Sequence, residues 1–466
     1  MFFLLPSFLT PQLIAQTPPP PQEIVQPQEV RPLPGQLDNI PVFNSNSPEL
    51  VLEEGILLST FNSDGKVTPE AHLDFPFQGR FDVFAHHVAK APTPEDLRTL
   101  YLGIILQNSQ NEPITINIWQ AASYLSQPDA PFIPLPPFVK NNRGEVYAGP
   151  GSRVMQDILR GKHQDTFPEE ITIPPGETAM LLNLPIPVRS LEPPINGRST
   201  YMRLSSDGKV YAASLAMYAP LDEKGEERAP TKAEWEKLLV TGKLATSRDR
   251  APTPPNNESG QIIYGRVAGV AQGSQWRATL TDPTPQWTFS NPDPEKATFL
   301  TIPNPGEAIS YGLSTLEGGT YGTRQSQSAP LLVRYPDTAY KAHGNYGIQY
   351  SLSLPLYNPK DTNKTLTIAL QTPLKQDQLL GGLRFLEPPA RQVFFRGTVK
   401  VRYRRENGIV SSDYYHLVQR RGQQGEPLAT VTIPPGKQDL VTIDFLYPPD
   451  STPPQVLTIK TLSNDE

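Results

Sequence analysis

From Leu50 onward the chain alternates apolar and polar residues in short runs of four to eight, broken repeatedly by Pro, Gly, Asn and Asp. Period-two alternation between such breaks predicts strands of a sandwich or barrel. Leu100–Leu106 is one such run and Ile114–Trp119 the next. Val399–Tyr403 and the run from Val410 flank Glu406-Asn407-Gly408-Ile409 and predict a hairpin, with Asn-Gly supplying the two positive-φ positions of a type I′ turn. Asp64-Gly65 and Asp207-Gly208, each inside Ser-Asp-Gly-Lys-Val, predict further turns.

Helical patterning is confined to three short stretches. Thr231–Thr241 has Thr231 as cap and Glu234 three residues on to complete a capping box; Trp235, Leu238 and Leu239 form its apolar face, and Gly242 stands where a left-handed residue would end it. Thr93 with Pro94, Glu95 and Asp96 predicts a second helix start. Ser152–Arg160, stopped by Gly161, predicts a third.

The two halves of the chain resemble one another. Leu102, Ile104 and Leu106 stand six, four and two residues before Asn108; Leu352, Leu354 and Leu356 hold the same offsets from Asn358. Thr115 and Ile118 follow the first Asn at the spacing with which Thr365 and Ile368 follow the second. Further on, Thr172-Ile173-Pro174-Pro175-Gly176 matches Thr432-Ile433-Pro434-Pro435-Gly436, each before a second apolar run. The expected fold is mostly β: two antiparallel β-sandwich domains, immunoglobulin-like or jelly-roll-like, related by internal duplication, with few short helices. The polar stretch Asp222–Gly260, with Pro-Thr-Pro-Pro at 252–255, marks the boundary. The domains are therefore placed at 48–220 and 261–462, joined by a 221–260 linker that carries the short helix.

Composition adds a compartment. The 466 residues include 54 Pro, more than twice the usual ~5% share, and interior Pro argues against long helices. The first 15 residues form a signal-peptide-like segment: Phe2–Ala15 is apolar and uncharged, shorter than the ~20 residues a membrane span needs. No basic residue precedes it. Residues 16–47, rich in Pro and Gln, are expected to be a disordered, extended spacer. Signal, spacer and folded body together predict export to the periplasm, the outer envelope or the medium, with no transmembrane span.

The absence of Cys removes disulfides, thiolate nucleophiles and Cys-ligated metal. No phosphate loop, dinucleotide fingerprint, nucleophile elbow or zincin helix occurs. The two Ser-x-x-Lys matches, at Ser63 and Ser206, lie on the Asp-Gly signals and lack companion motifs. Six scattered His, two of them adjacent at 86 and 87, give imidazole metal binding little to work with, so no catalytic residue, metal or cofactor is assigned. A net charge of −6 argues against nucleic acid. Arg402, Arg404, Arg405, Arg420 and Arg421 make one basic cluster around the expected hairpin.

The densest polar-aromatic stretch is 334–347. Arg334, Tyr340, His343 and Tyr346 are its candidate ligand-binding residues, because rings offer contact area at low entropic cost and polar loop residues often carry function. Phe81-Asp82-Val83-Phe84-Ala85-His86-His87, the segment from Arg334 to Tyr350 and the paired Thr-Ile-Pro-Pro-Gly motifs resemble a family of exported cyanobacterial proteins that carries a domain of unknown function. The resemblance implies a signal peptide and an envelope or extracellular location, and supplies no activity or catalytic residues. Two functions are expected from these readings. One is a non-enzymatic envelope or extracellular protein binding surface glycan or partner proteins. The alternative is an envelope polysaccharide-active enzyme using two carboxylates, with Asp82, Asp337 and Glu387 available.

Overall fold

In the computed structural model the described residues are 20–255, 261–284, 297–405 and 407–463. The expected signal-like segment at 1–15 lies outside them. The chain is mostly β, with 46% strand and two α-helices among the described residues. The sheets are mixed: beside the antiparallel pairs, Gln275–Thr279 runs parallel to Gln349–Tyr357, and Pro41–Ser45 runs parallel to Phe77–Lys90. The mostly β expectation holds, and the antiparallel sheets carry these parallel pairs within them.

The repeated blocks adopt the same pairing. Leu100–Asn108 pairs Thr178–Ile186, as Gln349–Tyr357 pairs Gln438–Leu446. Ile114–Leu125 pairs Glu170–Ile173, as Lys364–Gln371 pairs Ala429–Ile433. The two Asn explain why their spacing recurs. Both are fully buried. Asn108 Nδ2 donates to the carbonyls of Glu112 at 2.7 Å and Ile173 at 3.0 Å, and its Oδ1 accepts from Gln110 N at 2.8 Å. Asn358 Nδ2 donates to Thr362 at 2.9 Å and Ile433 at 2.8 Å, and its Oδ1 accepts from Lys360 N at 3.0 Å. Each Asn thus ties the end of its strand to the loop after it and to the Ile-Pro-Pro-Gly turn, whose Gly176 and Gly436 are left-handed.

The same alternation meets different surroundings in the two blocks. In Gln349–Tyr357 every second residue is buried, from Tyr350 to Leu356. In Leu100–Asn108 both faces are covered. Leu102, Ile104 and Leu106 enter one core cluster, while Ile105 meets a second cluster built by helix α2 (Lys232–Thr241). Trp235 of α2 lies directly over Gly103, where an added Cβ would stand 2.8 Å from the indole. The capping box of Thr231 and Glu234 forms; Gly242, however, is extended at φ −77° rather than left-handed. Helix α1 (Pro150–Leu159) ends before left-handed Gly161 and packs on strands from both halves. No helix forms at Thr93. Its Oγ1 accepts from Asp96 N at 3.2 Å, but Arg98 binds the Asp96 carboxylate at 2.8 Å. A strand begins at Leu100, so one capped turn has nothing to propagate into.

Two turn signals also resolve differently. Asp207-Gly208 lies inside the long strand Ile195–Tyr218, at a register shift between Ser206 and Val210. The Asn407-Gly408 hairpin forms, with Arg404 opposite Val410, but only Gly408 is left-handed among the loop's described residues. Gly408 N donates to Arg405 O and Arg405 N to Ile409 O, so one left-handed Gly closes the loop in place of a type I′ pair.

The largest difference concerns the expected disordered spacer 16–47. From Gln22 it carries four short strands, Gln22–Gln26, Glu29–Arg31, Gln36–Leu37 and Pro41–Ser45. Gln22–Gln26 pairs Leu383–Glu387, and Pro41–Ser45 lies between Phe77–Lys90 of the first half and Ala268–Gln272 of the second. Phe43 is fully buried there, edge-on to Phe77 at 6.4 Å. Ser45 Oγ bonds His87 Nε2 at 2.9 Å and Ser214 Oγ at 2.6 Å. Pro content signalled an unpaired chain, but the prolines stand at strand ends and leave Val42, Phe43 and Asn44 free to pair. One twelve-stranded sheet consequently takes strands from both halves.

Candidate functional site

The segment 334–347 is fixed from within. Tyr335 is buried; its hydroxyl donates to Ala71 O at 2.7 Å and accepts from Ser59 N at 3.0 Å. Arg334 donates to the carbonyls of Tyr335, Pro336 and Thr338 at 2.8, 3.1 and 2.6 Å, and its guanidinium lies 4.0 Å from the Tyr340 ring. Asn345, left-handed at φ 51°, bonds Ala329 N, Gln327 O and the Tyr350 hydroxyl. Arg334 is therefore a brace for this loop and lines neither of the cavities described next.

A cleft runs beside the loop in two chambers that share Tyr264 and His343. The larger has a volume of about 390 Å³ and is walled by His343 and Tyr346 together with Asn44, Arg266, Lys375 and Arg421. The smaller, about 210 Å³, is walled by Tyr340, Lys341, His343 and Glu317. Of the four residues picked from sequence, three thus meet on the cleft and Arg334 does not.

The electrostatics of the two chambers differ. Glu317 is held well below the usual carboxylate range, first by its hydrogen bond from His343 and then by Lys341, whose Nζ stands 2.6 Å away. It is an ionised, committed carboxylate. Among the described residues, no Asp or Glu lines the larger chamber. Arg266 is ion-paired with Glu49 and, at 3.5 Å, with Asp249. Lys375 lies 4.4 Å from the Tyr264 ring and bonds its hydroxyl; burial lowers the ammonium pKa. Burial likewise pushes Tyr264 and Tyr346 up to about 12, so both are neutral phenols. Tyr346 donates to Ser451 O at 3.0 Å. Asn44 and Asn46 are 4% and 3% exposed, and the Oδ1 of each has no partner among the described residues.

The three carboxylates considered for an enzyme do not line this cleft. Asp82 is fully buried, 3.8 Å from both Arg80 and Arg203, and its pKa is raised by burial. Asp337 is exposed and paired with Arg248 at 3.5 Å. Glu387 is exposed at the end of its strand. The basic cluster also divides. Arg402, Arg404 and Arg405 sit at the hairpin tip, where Arg405 pairs with Asp413 at 2.6 Å. Arg420 and Arg421 lie at the opposite end of the same strand pair, about 30 Å away at ~3.3 Å per residue.

Asn44, Asn46, Tyr264, Arg266 and Lys375 escaped the sequence reading. They come from segments distant along the chain, and no periodicity joins them. Asn44 and Asn46 also lay in the stretch expected to be unstructured.

Residues 28–461 match the family model described as a protein of unknown function, DUF3370. No curated protein matches. Among solved structures, Lac15 from a marine microbial metagenome aligns at 9% identity and a TM-score of 0.10, over 84% of this chain and 55% of that one. The chain thus spans about half the length of Lac15. Procruciferin, the 11S globulin of Brassica napus, aligns at 11% identity and a TM-score of 0.09, over 89% of this chain and 85% of that one. Scores this low establish no shared fold.

Proposed function

The chain belongs to the DUF3370 family, and with that membership and the cleft as premises we propose that it is an exported, non-catalytic binding protein of the cell envelope that holds surface glycan. The observation that supports binding is the composition of the larger chamber. It is concave, part aromatic and part polar, and has no carboxylate on its wall. Glycoside hydrolysis needs two carboxyl groups flanking the bond, about 5–10 Å apart. Among the described residues the cleft offers only Glu317, already paired with Lys341. Export rests on the uncharged apolar run Phe2–Ala15.

The test is retention of the full chain on immobilised envelope polysaccharide, with the polysaccharide's size distribution followed over time. Retention without shortening is expected, weakened at least tenfold by His343→Ala at unchanged melting temperature. Shortening of the polymer would overturn the non-catalytic reading, and absence of retention would overturn binding. N-terminal sequencing from fractionated cells tests export: an intact Phe2–Ala15 segment on cytoplasmic protein would refute it.

A further inference from the structure

The larger chamber combines two features that the loop 334–347 does not explain. The first is charge without compensation. Of the three Lys or Arg on its wall, Arg266 is matched by Glu49 and Asp249. Lys375 and Arg421 have no carboxylate within ion-pair distance among the described residues. Lys375 is exposed at the cleft, its ammonium held 4.4 Å from the Tyr264 ring and bonded to the Tyr264 hydroxyl. Both cations therefore leave a positive charge on the cavity wall that no carboxylate there balances. The second feature is hydrogen-bonding capacity without a partner. Asn44 is held by its strand, which pairs on both sides, and Asn46 just after it by its N–H bond to Val267 O, yet their buried carbonyl oxygens accept nothing from the described residues. Buried polar atoms are ordinarily satisfied, so two orphans on one wall mark a place where a ligand can donate.

The same wall also carries Val267, Leu316, Phe394 and Pro453. A wall with cations, carboxamide acceptors and an apolar surface matches a molecule with an anionic group, hydroxyl donors and a C–H face. The volume, about 390 Å³, falls toward the small end of the ~300–1,000 Å³ range of small-molecule sites. It suits a short stretch of glycan or a chain end rather than a long helical segment of polymer.

We propose that the larger chamber is a subsite for an acidic sugar residue, its carboxylate held by Lys375 and Arg421 and its hydroxyls donating to Asn44 and Asn46. This deepens the glycan-binding reading and rests on it.

The experiment is calorimetric titration of the full chain with three probes: short oligogalacturonates, neutral cello-oligosaccharides and inorganic sulfate. Oligogalacturonate is expected to bind, with affinity falling as salt rises. Lys375→Gln and Arg421→Gln should each weaken it at least tenfold, and Lys375→Arg should restore most of the loss. Asn44→Ala tests the hydroxyl contacts and should weaken the oligosaccharide without changing the response to sulfate. Lys375 and Arg421 are both exposed, so their variants report on binding even if the Asn44 variant loses stability. Equal binding of neutral and acidic oligomers, unaffected by the charge variants, overturns the acidic subsite and leaves glycan binding standing. Sulfate binding as tightly as oligogalacturonate, with the Asn44 variant unchanged, overturns the sugar assignment in favour of a simple anion site. No binding of either oligomer, where envelope polysaccharide is still retained, places the glycan elsewhere and overturns the subsite alone.

Discussion

Asn108 and Asn358 each satisfy two or more carbonyls and one N–H that would otherwise be left without partners where strand, loop and turn converge. Replacing either by Ala is expected to cost about 2 kcal/mol or more, since each orphaned buried group costs roughly 1–3 kcal/mol. The two residues stand at the ends of strands in different sheets, so the double variant should be additive within about 0.5 kcal/mol. Denaturant midpoints measure both, and an Asn→Ala change of negligible cost would show that the repeated spacing is not held by these bonds. His416 gives a second test at this scale. It is fully buried, bonded through Nδ1 to Thr398 at 3.2 Å, and burial lowers its pKa to about 4. The unfolded chain takes up the proton near the ordinary value of about 6.5. Unfolding therefore binds more protons between those limits, and stability is lost as pH falls from about 6.5 to about 4. His416→Gln should flatten the dependence across that window by up to about 1.4 kcal/mol per pH unit. Identical slopes for the variant and the native chain would contradict the burial.

At the scale of elements, helix α2 shows what local pattern can and cannot give. Thr231 and Glu234 form the capping box that their spacing predicts, and Thr231→Ala should cost about 1 kcal/mol. Which surface the helix covers was not legible. The reason is Gly103, a residue without a side chain, over which Trp235 lies while its Nε1 donates to Asn183 at 3.2 Å. Gly103→Ala should lift α2 off the sheet and expose the indole, read as a red-shifted Trp emission; unchanged emission would show the contact is not tight. Strands were legible where alternation met a half-buried surface, as in Gln349–Tyr357. The failed helix at Thr93 and the unbroken strand through Asp207-Gly208 share a cause: turn and cap residues report local preference, and the neighbouring strands overrode it. The cleft was legible only through the loop 334–347, because that loop is contiguous. Lys375, Arg266 and Asn44 meet it through tertiary structure that no single stretch of sequence encodes.

For the whole molecule, the decisive element is Pro41–Ser45. It carries the twelve-stranded sheet from one half of the chain to the other and places Asn44 and Asn46 on the cleft wall. Phe43→Ala should cost about 3–5 kcal/mol, the usual range for emptying a buried Phe site, whereas a residue in an unstructured spacer would cost nothing. Helix α1 joins the halves a second time. The buried Gln156 accepts from Asn141 Nδ2 at 2.7 Å and from Thr398 Oγ1 at 2.9 Å, a contact between residues 242 apart in the chain. The site therefore depends on the N-terminal segment being built into the fold. Hydrogen–deuterium exchange of the full chain, with and without saturating oligogalacturonate, tests this account most directly. It predicts ligand-induced protection at 44–46, 264–267, 342–347 and 420–423, with the hairpin tip at 402–409 unchanged. Protection confined to other surfaces, or exchange at 41–46 as fast as in an unfolded chain, would contradict it.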